Sequence, residues 1–220
     1  MSLQATHIRF ALDVRDKYQV SEIKKYICGT IYPDSRYIAK VERTLTHNED
    51  ILLPSFAKDD FRKGWQVHQI CDILQNYIFS KHVSLLTQYP IKIWDEPKWL
   101  AFTASKIIQD ISDMQSFDIQ KMLVHLKYAE NPNDENIEDV KKSNQIIINL
   151  YKDKKTTSLD DYYYMWLGLG MGKEKASKIK AKTKEFLKNK HLVSQIQSCY
   201  DKILKLYGNP NKLAYKDLIV

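Results

Sequence analysis

Residues 60–79 read DFRKGWQVHQICDILQNYIF, and within them Val67, Cys71, Leu74 and Ile78 recur every three or four positions. That period puts the four side chains on one face of a helix and fits no strand. Asp59 or Asp60 stands where a helix N-cap is wanted. Six glycines and six prolines in 220 residues are too few for a strand-rich sandwich with its many tight turns. The expectation is an all-α chain in which this helix is central.

Other segments extend the pattern. Thr6 is placed to cap a helix through HIRFALDVRDKY, and Ser21 precedes a second helix that Gly29 is placed to end. Pro33 disfavours helix at Tyr32, so residues 30–50 read as a long ordered connection. Pro97 marks the first turn of a further helix, followed by one over SFDIQKMLVHLKYA and a turn at NPNDEN. Helices over 137–152, from Ser158 with a break near Gly168, Gly170 and Gly172, and over 192–207 complete the chain, with GNPN (208–211) as the final stop. Neither repeat nor flexible linker appears, so the expectation is a single helical domain over 1–220, with a half at 1–130 that carries the candidate ligands and a basic, tyrosine-rich half at 131–220.

Cys28, Cys71 and Cys199 are odd in number and far apart, which argues against a disulfide framework and against a cysteine-type zinc site. No stretch reaches the roughly 18 apolar residues that span a bilayer. No basic region followed by an apolar run opens the chain, so the expected location is the cytoplasm. The net charge of +7 favours anionic partners. The segment 173–190 holds eight lysines against two glutamates, which reads either as a solvated helix face or as a footprint for nucleic-acid phosphates.

His68 and Asp72 lie one turn apart on the helix at 60–79, on a face that borders the apolar stripe. An imidazole and a carboxylate so placed reach one metal ion, though a plain His–Asp hydrogen bond is the alternative. Asp34 follows Pro33, His47 follows 13 residues later, and His7 opens the chain, each in a short polar context. The set His7, Asp34, His47, His68 and Asp72 suits one or two divalent ions, zinc first and manganese or iron after it.

Taken in order, THIRFALD, CGTIYPDSRY, RTLTH and KGWQVHQICD resemble the zinc-dependent phospholipase C family, which shares its fold with the fungal zinc nucleases. The likeness covers roughly the first 80 residues and rests on Gly29, Pro33 and Asp34, then Thr46 and His47, then Gly64, His68 and Asp72. It implies a divergent, non-secreted member with an all-helical bundle around the metal site. Asp34, His47, His68 and Asp72 would hold one zinc, and Asp72 would bridge to a second that His7 also binds. It further implies hydrolysis of a phosphate ester, most naturally a phosphodiester, with Asp34, His68 and Asp72 at the chemistry and Arg36, Arg43 or Lys63 balancing phosphoryl charge.

The chain departs from the secreted members in opening Met-Ser-Leu rather than with Trp, and it lacks the His pair that holds their third metal. Asp110 is the candidate substitute ligand; His82 reads as a distal ligand or general acid, and more readily as a helix-end cation. Those departures motivate a second reading, a metal-stabilised binding or scaffold protein without catalysis; a nucleic-acid binder is a third. The absence of a His-Asp dipeptide counts against the HD phosphohydrolases. The glycines of 168–172 match neither a P-loop nor a dinucleotide fingerprint, and Tyr162, Tyr163, Tyr164 and Trp166 read as helix packing.

Overall fold

The computed structural model describes residues 3–89 and 95–208, and these are helical throughout, joined by turns, with no strand among them. The central helix forms as its periodicity requires. It is α4, Asp60–His82, with α1 (Gln4–Val14), α2 (Ile23–Ala39) and the single turn α3 (Arg43–Thr46) before it. Asp59 caps α4 by accepting from the Arg62 amide at 2.8 Å, and Val67, Cys71, Leu74 and Ile78 are all buried. Asp60 serves a different helix: its carboxylate accepts from the amides of Ser21 and Glu22 at 2.9 and 2.6 Å and so fixes the start of α2.

After α4 come α5 (Glu96–Met114), α6 (Ile119–Leu123), α7 (Ile137–Tyr151) and α8 (Leu159–Gly168). The last three are α9 (Lys173–Leu187), α10 (Lys190–Gln197) and α11 (Cys199–Tyr207). Pro97 sits in the first turn of α5, and Ser158 and Asp161 form a reciprocal capping box at α8. One apolar core draws on residues from Leu3 to Ile203, so both halves of the chain feed it, and a smaller cluster gathers Tyr32, Phe61 and Trp65.

Four expectations are corrected. The residues read as a connection belong largely to α2, which runs through both Gly29 and Pro33. An interior proline costs a helix about 3 kcal/mol, yet every residue of α2 from Tyr26 to Ser35 is buried, and that burial offsets the penalty. Thr6 is not a cap: α1 begins at Gln4. The helix read over 116–129 shrinks to α6 and a 3-10 turn, because Ile119, Leu123 and Leu126 alone among its apolar residues are fully buried. The C-terminal helix is two, divided at Ser198, α10 packing on α5 and α9 while α11 packs on α4. Gly208 ends α11; the rest of GNPN lies outside the described residues.

The pairing of α2 with α4 is the most extensive in the fold. It is a backbone-to-backbone contact. A Cβ on Gly29 would lie 1.9 Å from the Phe61 carbonyl oxygen, and one on Gly64 would lie 2.0 Å from that of Tyr26. Only glycine permits this approach. It brings Asp34 on α2 beside His68 and Asp72 on α4.

Candidate metal centre

His68 is fully buried on α4, and its Nδ1 lies 2.8 Å from the Thr30 carbonyl oxygen. A carbonyl only accepts, so Nδ1 carries the proton and Nε2 keeps its lone pair. His47 follows the same logic. The Thr46 hydroxyl donates to the Arg43 carbonyl at 3.2 Å, so it accepts from His47 Nδ1 at 2.9 Å and leaves Nε2 available. Both arrangements fix the tautomer that metal-binding histidines use.

The segment bearing His47 has little regular structure and is held by side chains of α4. Trp65 Nε1 donates to the Thr46 carbonyl at 2.9 Å, Gln66 to those of Ile51 and Leu53 at 2.7 and 3.0 Å, and Gln69 to that of Asn48 at 2.6 Å. Asp34 accepts from Gln4 at 3.0 Å. His7, on α1, stacks on His68 with ring centroids 3.8 Å apart and planes 13° from parallel.

Asp72 stands among the three imidazoles. One of its oxygens is 3.7 Å from His7 Nε2; the other is 3.7 Å from His47 Nε2 and 3.8 Å from His68 Nε2. These separations are too long for hydrogen bonds. They approach the roughly 3.3 Å that separates two ligands about 2.0 Å from one tetrahedral ion. Ligand atoms of His7, His68 and Asp72 lie within 4.8 Å of one another, and so do those of Asp34, His47 and His68. All five residues singled out from the sequence therefore converge, with His68 common to both groups.

The donor set fits a divalent cation. His7 Nδ1 and Nε2, His68 Nε2 and Asp34 Oδ1 are buried without a hydrogen-bond partner among the described residues. Orphaned polar atoms at this density are expensive unless something completes them. Burial lowers the basicity of His7, His47 and His68, with the neighbouring His68 adding to the effect at His7, which favours the neutral imidazole that can ligate. Burial raises the carboxyl pKa of Asp34, a cost that a bound cation would reverse.

Asp34, His47 and Asp72 face a cleft of about 800 Å³ whose wall also carries Arg36 and Arg43. The remaining candidates are placed elsewhere. Lys63 is not on the cleft wall; its Nζ pairs with Asp60 at 2.7 Å. His82 is exposed in the last turn of α4, where a cation suits the helix dipole. Asp110 is in neither ligand group, because its oxygens are already engaged. One accepts from the Thr6 amide at 3.0 Å, the other from the hydroxyls of Tyr151 and Tyr162 at 2.6 and 2.7 Å. Tyr151 in turn accepts from the Ala5 amide at 3.1 Å. Asp110 and Tyr151 thus satisfy the first-turn amides of α1 that Leu3 does not cap, and they aim His7 from a distance.

Sequence reasoning missed this buttress, and it missed Lys98 and Lys106, which line the cleft at 2% and 4% exposure. Their signal was present in KWLAFTASK: two lysines eight apart with Phe102 midway share one helix face. No protein-family model, curated protein or solved structure matches the chain.

Proposed function

We propose that this chain is a metal-dependent hydrolase of phosphate esters, holding a divalent ion with His7, Asp34, His47, His68 and Asp72. The observation that carries this reading is the convergence of five ligand side chains, three of them with unpartnered buried atoms, at the wall of a cation-lined cleft. Two carboxylates with three imidazoles favour zinc, then manganese or iron. A divalent metal bound there supplies Lewis acidity toward a phosphoryl oxygen and toward a water.

The chain's own residues do the positioning. Thr30 and Thr46 orient two imidazoles, Gln4 orients Asp34, and Asp72 stands between the three histidines. Arg36 and Arg43, on the same wall, present charge to a phosphate entering from solvent. Preorganised donors of this kind stabilise the charge that builds on the equatorial oxygens during phosphoryl transfer.

Access distinguishes this reading from a scaffold. Structural zinc sites are closed, whereas Asp34, His47 and Asp72 open on the cleft. Nucleic acid is the weaker partner. On α9 Lys178 pairs with Glu96 and Glu174, Lys180 with Asp160 and Lys182 with Glu185, which supports a solvated face rather than a phosphate track. No helix of the described residues is long and apolar enough to cross a membrane.

The test is elemental analysis of the purified chain beside His68→Ala, followed by assay of the metal-loaded protein on phosphomonoesters, phosphodiesters and nucleic acid. One or two equivalents of metal, lost in the variant, with turnover of a phosphoester, is the expected result. Failure to take up metal on titration would remove the reading; uptake without turnover of any ester would leave the scaffold.

A further inference from the structure

Along one wall of the cleft, α5 turns Lys98, Phe102 and Lys106 toward the cavity at successive four-residue steps. Lys106 is the one nearer the ligands in its effect: its charge acts on both His7 and Asp72. It is 4% exposed, and among the described residues it has neither an ion pair nor a side-chain hydrogen bond. Its stem is packed into the wall, and its ammonium reaches the cleft, where no protein group of the described residues engages it. Of the carboxylates that line the cleft, Asp34 and Asp72 belong to the candidate ligand cluster, and Glu49 makes no ion pair with Lys106.

We propose that Lys106 is the anion-binding group of the cleft, its ammonium taking a non-bridging oxygen of a phosphate ester seated against the ligand cluster. The assignment rests on the phosphoesterase reading for the chemistry of the ligand. It goes beyond that reading in placing the decisive cation on α5, in the same cleft as Arg36 and Arg43. The same geometry restricts the substrate. A lysine this deeply buried meets only a phosphate that enters the cleft, so terminal or small phosphate esters are accepted and the phosphates of a stiff duplex are not.

The experiment is isothermal titration of inorganic phosphate into the full chain, metal-free and after loading with zinc. Wild type, Lys106→Met, Lys106→Arg and, as a control at the exposed rim, Lys81→Met are compared. Zinc content and thermal midpoint are recorded for each. Lys106→Met is expected to weaken phosphate at least about tenfold, the loss of one charge-assisted hydrogen bond, while zinc content and thermal midpoint hold. Lys106→Arg should keep most of the affinity, and Lys81→Met should stay within about twofold of wild type.

Equal phosphate affinity in wild type and Lys106→Met, or no phosphate binding by wild type in either form, overturns the assignment whatever the zinc content. A Lys106→Met that fails to fold also overturns it, since the lysine would then be structural. Zinc uptake that fails while phosphate binding still depends on Lys106 sinks the metal reading and leaves this one standing.

Discussion

The carbonyl oxygen of Tyr26 lies where a side chain on Gly64 would have to go, 2.0 Å from an added Cβ. The obstructing atom is helix backbone, which cannot rotate aside. Gly64→Ala should therefore cost about 3 kcal/mol and lower the thermal midpoint by about 6–12 °C in a chain of this size. Gly168→Ala meets only the side chain of Ile146 at 3.4 Å and should change the midpoint far less. Calorimetry of the two variants makes the comparison. Similar midpoints would mean that α2 and α4 do not touch as described.

Gln66 and Gln69 hold the backbone around His47, so their loss should be felt in that segment first. Gln66→Ala leaves the carbonyls of Ile51 and Leu53 without this donor, at a cost of about 1–3 kcal/mol. Hydrogen exchange over residues 44–53 should quicken in Gln66→Ala and in Gln69→Ala, with α5 and α7 unaffected. Uniform quickening would point to global destabilisation instead.

Asp110 accepts three hydrogen bonds in the core. Asp110→Ala strands two tyrosine hydroxyls and the Thr6 amide, and should destabilise the chain by about 3–5 kcal/mol in denaturant titration. Tyr162→Phe removes one donor and should cost about 1 kcal/mol. Metal bound per folded molecule should stay unchanged in Tyr162→Phe, which separates the buttress from the ligands.

The buried imidazoles set a pH dependence in metal-free protein. His7, His47 and His68 have folded pKa values below the ordinary 6.5, so below pH 6.5 the unfolded chain binds more protons than the folded one. Stability present above about pH 6.5 is lost as the pH falls, by up to about 1.4 kcal/mol per unit for each histidine. Asp113 works the other way. Burial pushes its carboxyl up to about 6, so below that pH it protonates first in the folded state and offsets part of the loss. Denaturant titrations should show stability falling as the pH drops through 6.5, and falling more steeply below 6. A flat profile there would contradict the burial of the histidines.

Much of this was legible beforehand, for identifiable reasons. The stripe of α4, the cap at Asp59, the start of α5 at Pro97 and the capping residue Ser158 are local signals, and local geometry decides them. The grouping of the five candidate residues was legible because His68 and Asp72 share a helix face, and the order of the other three fits a recognisable pattern. What stayed hidden depends on distant partners. Pro33 inside a helix contradicts local propensity, and only the packing of α2 against α4 explains it. Asp110 looked like a spare ligand because nothing local reveals Tyr151 and Tyr162 closing on it. The parts played by Gln66 and Gln69 depend on the segment that folds over them, which no local pattern announces.

The network joining Ala5, Tyr151, Asp110, Tyr162 and Thr6 also sets an order of assembly. All five candidate ligands lie in the first third of the chain, and a fragment ending at residue 130 contains every one. It lacks both tyrosines, so the amide of Ala5 and one oxygen of Asp110 lose their partners and the helix bearing His7 is left unanchored. During synthesis the ligands emerge early, but the centre closes only when the chain has been made beyond Tyr162. A ribosome-held nascent chain should therefore gain tight metal binding late, in one step, and the N-terminal half cannot be excised as a working unit.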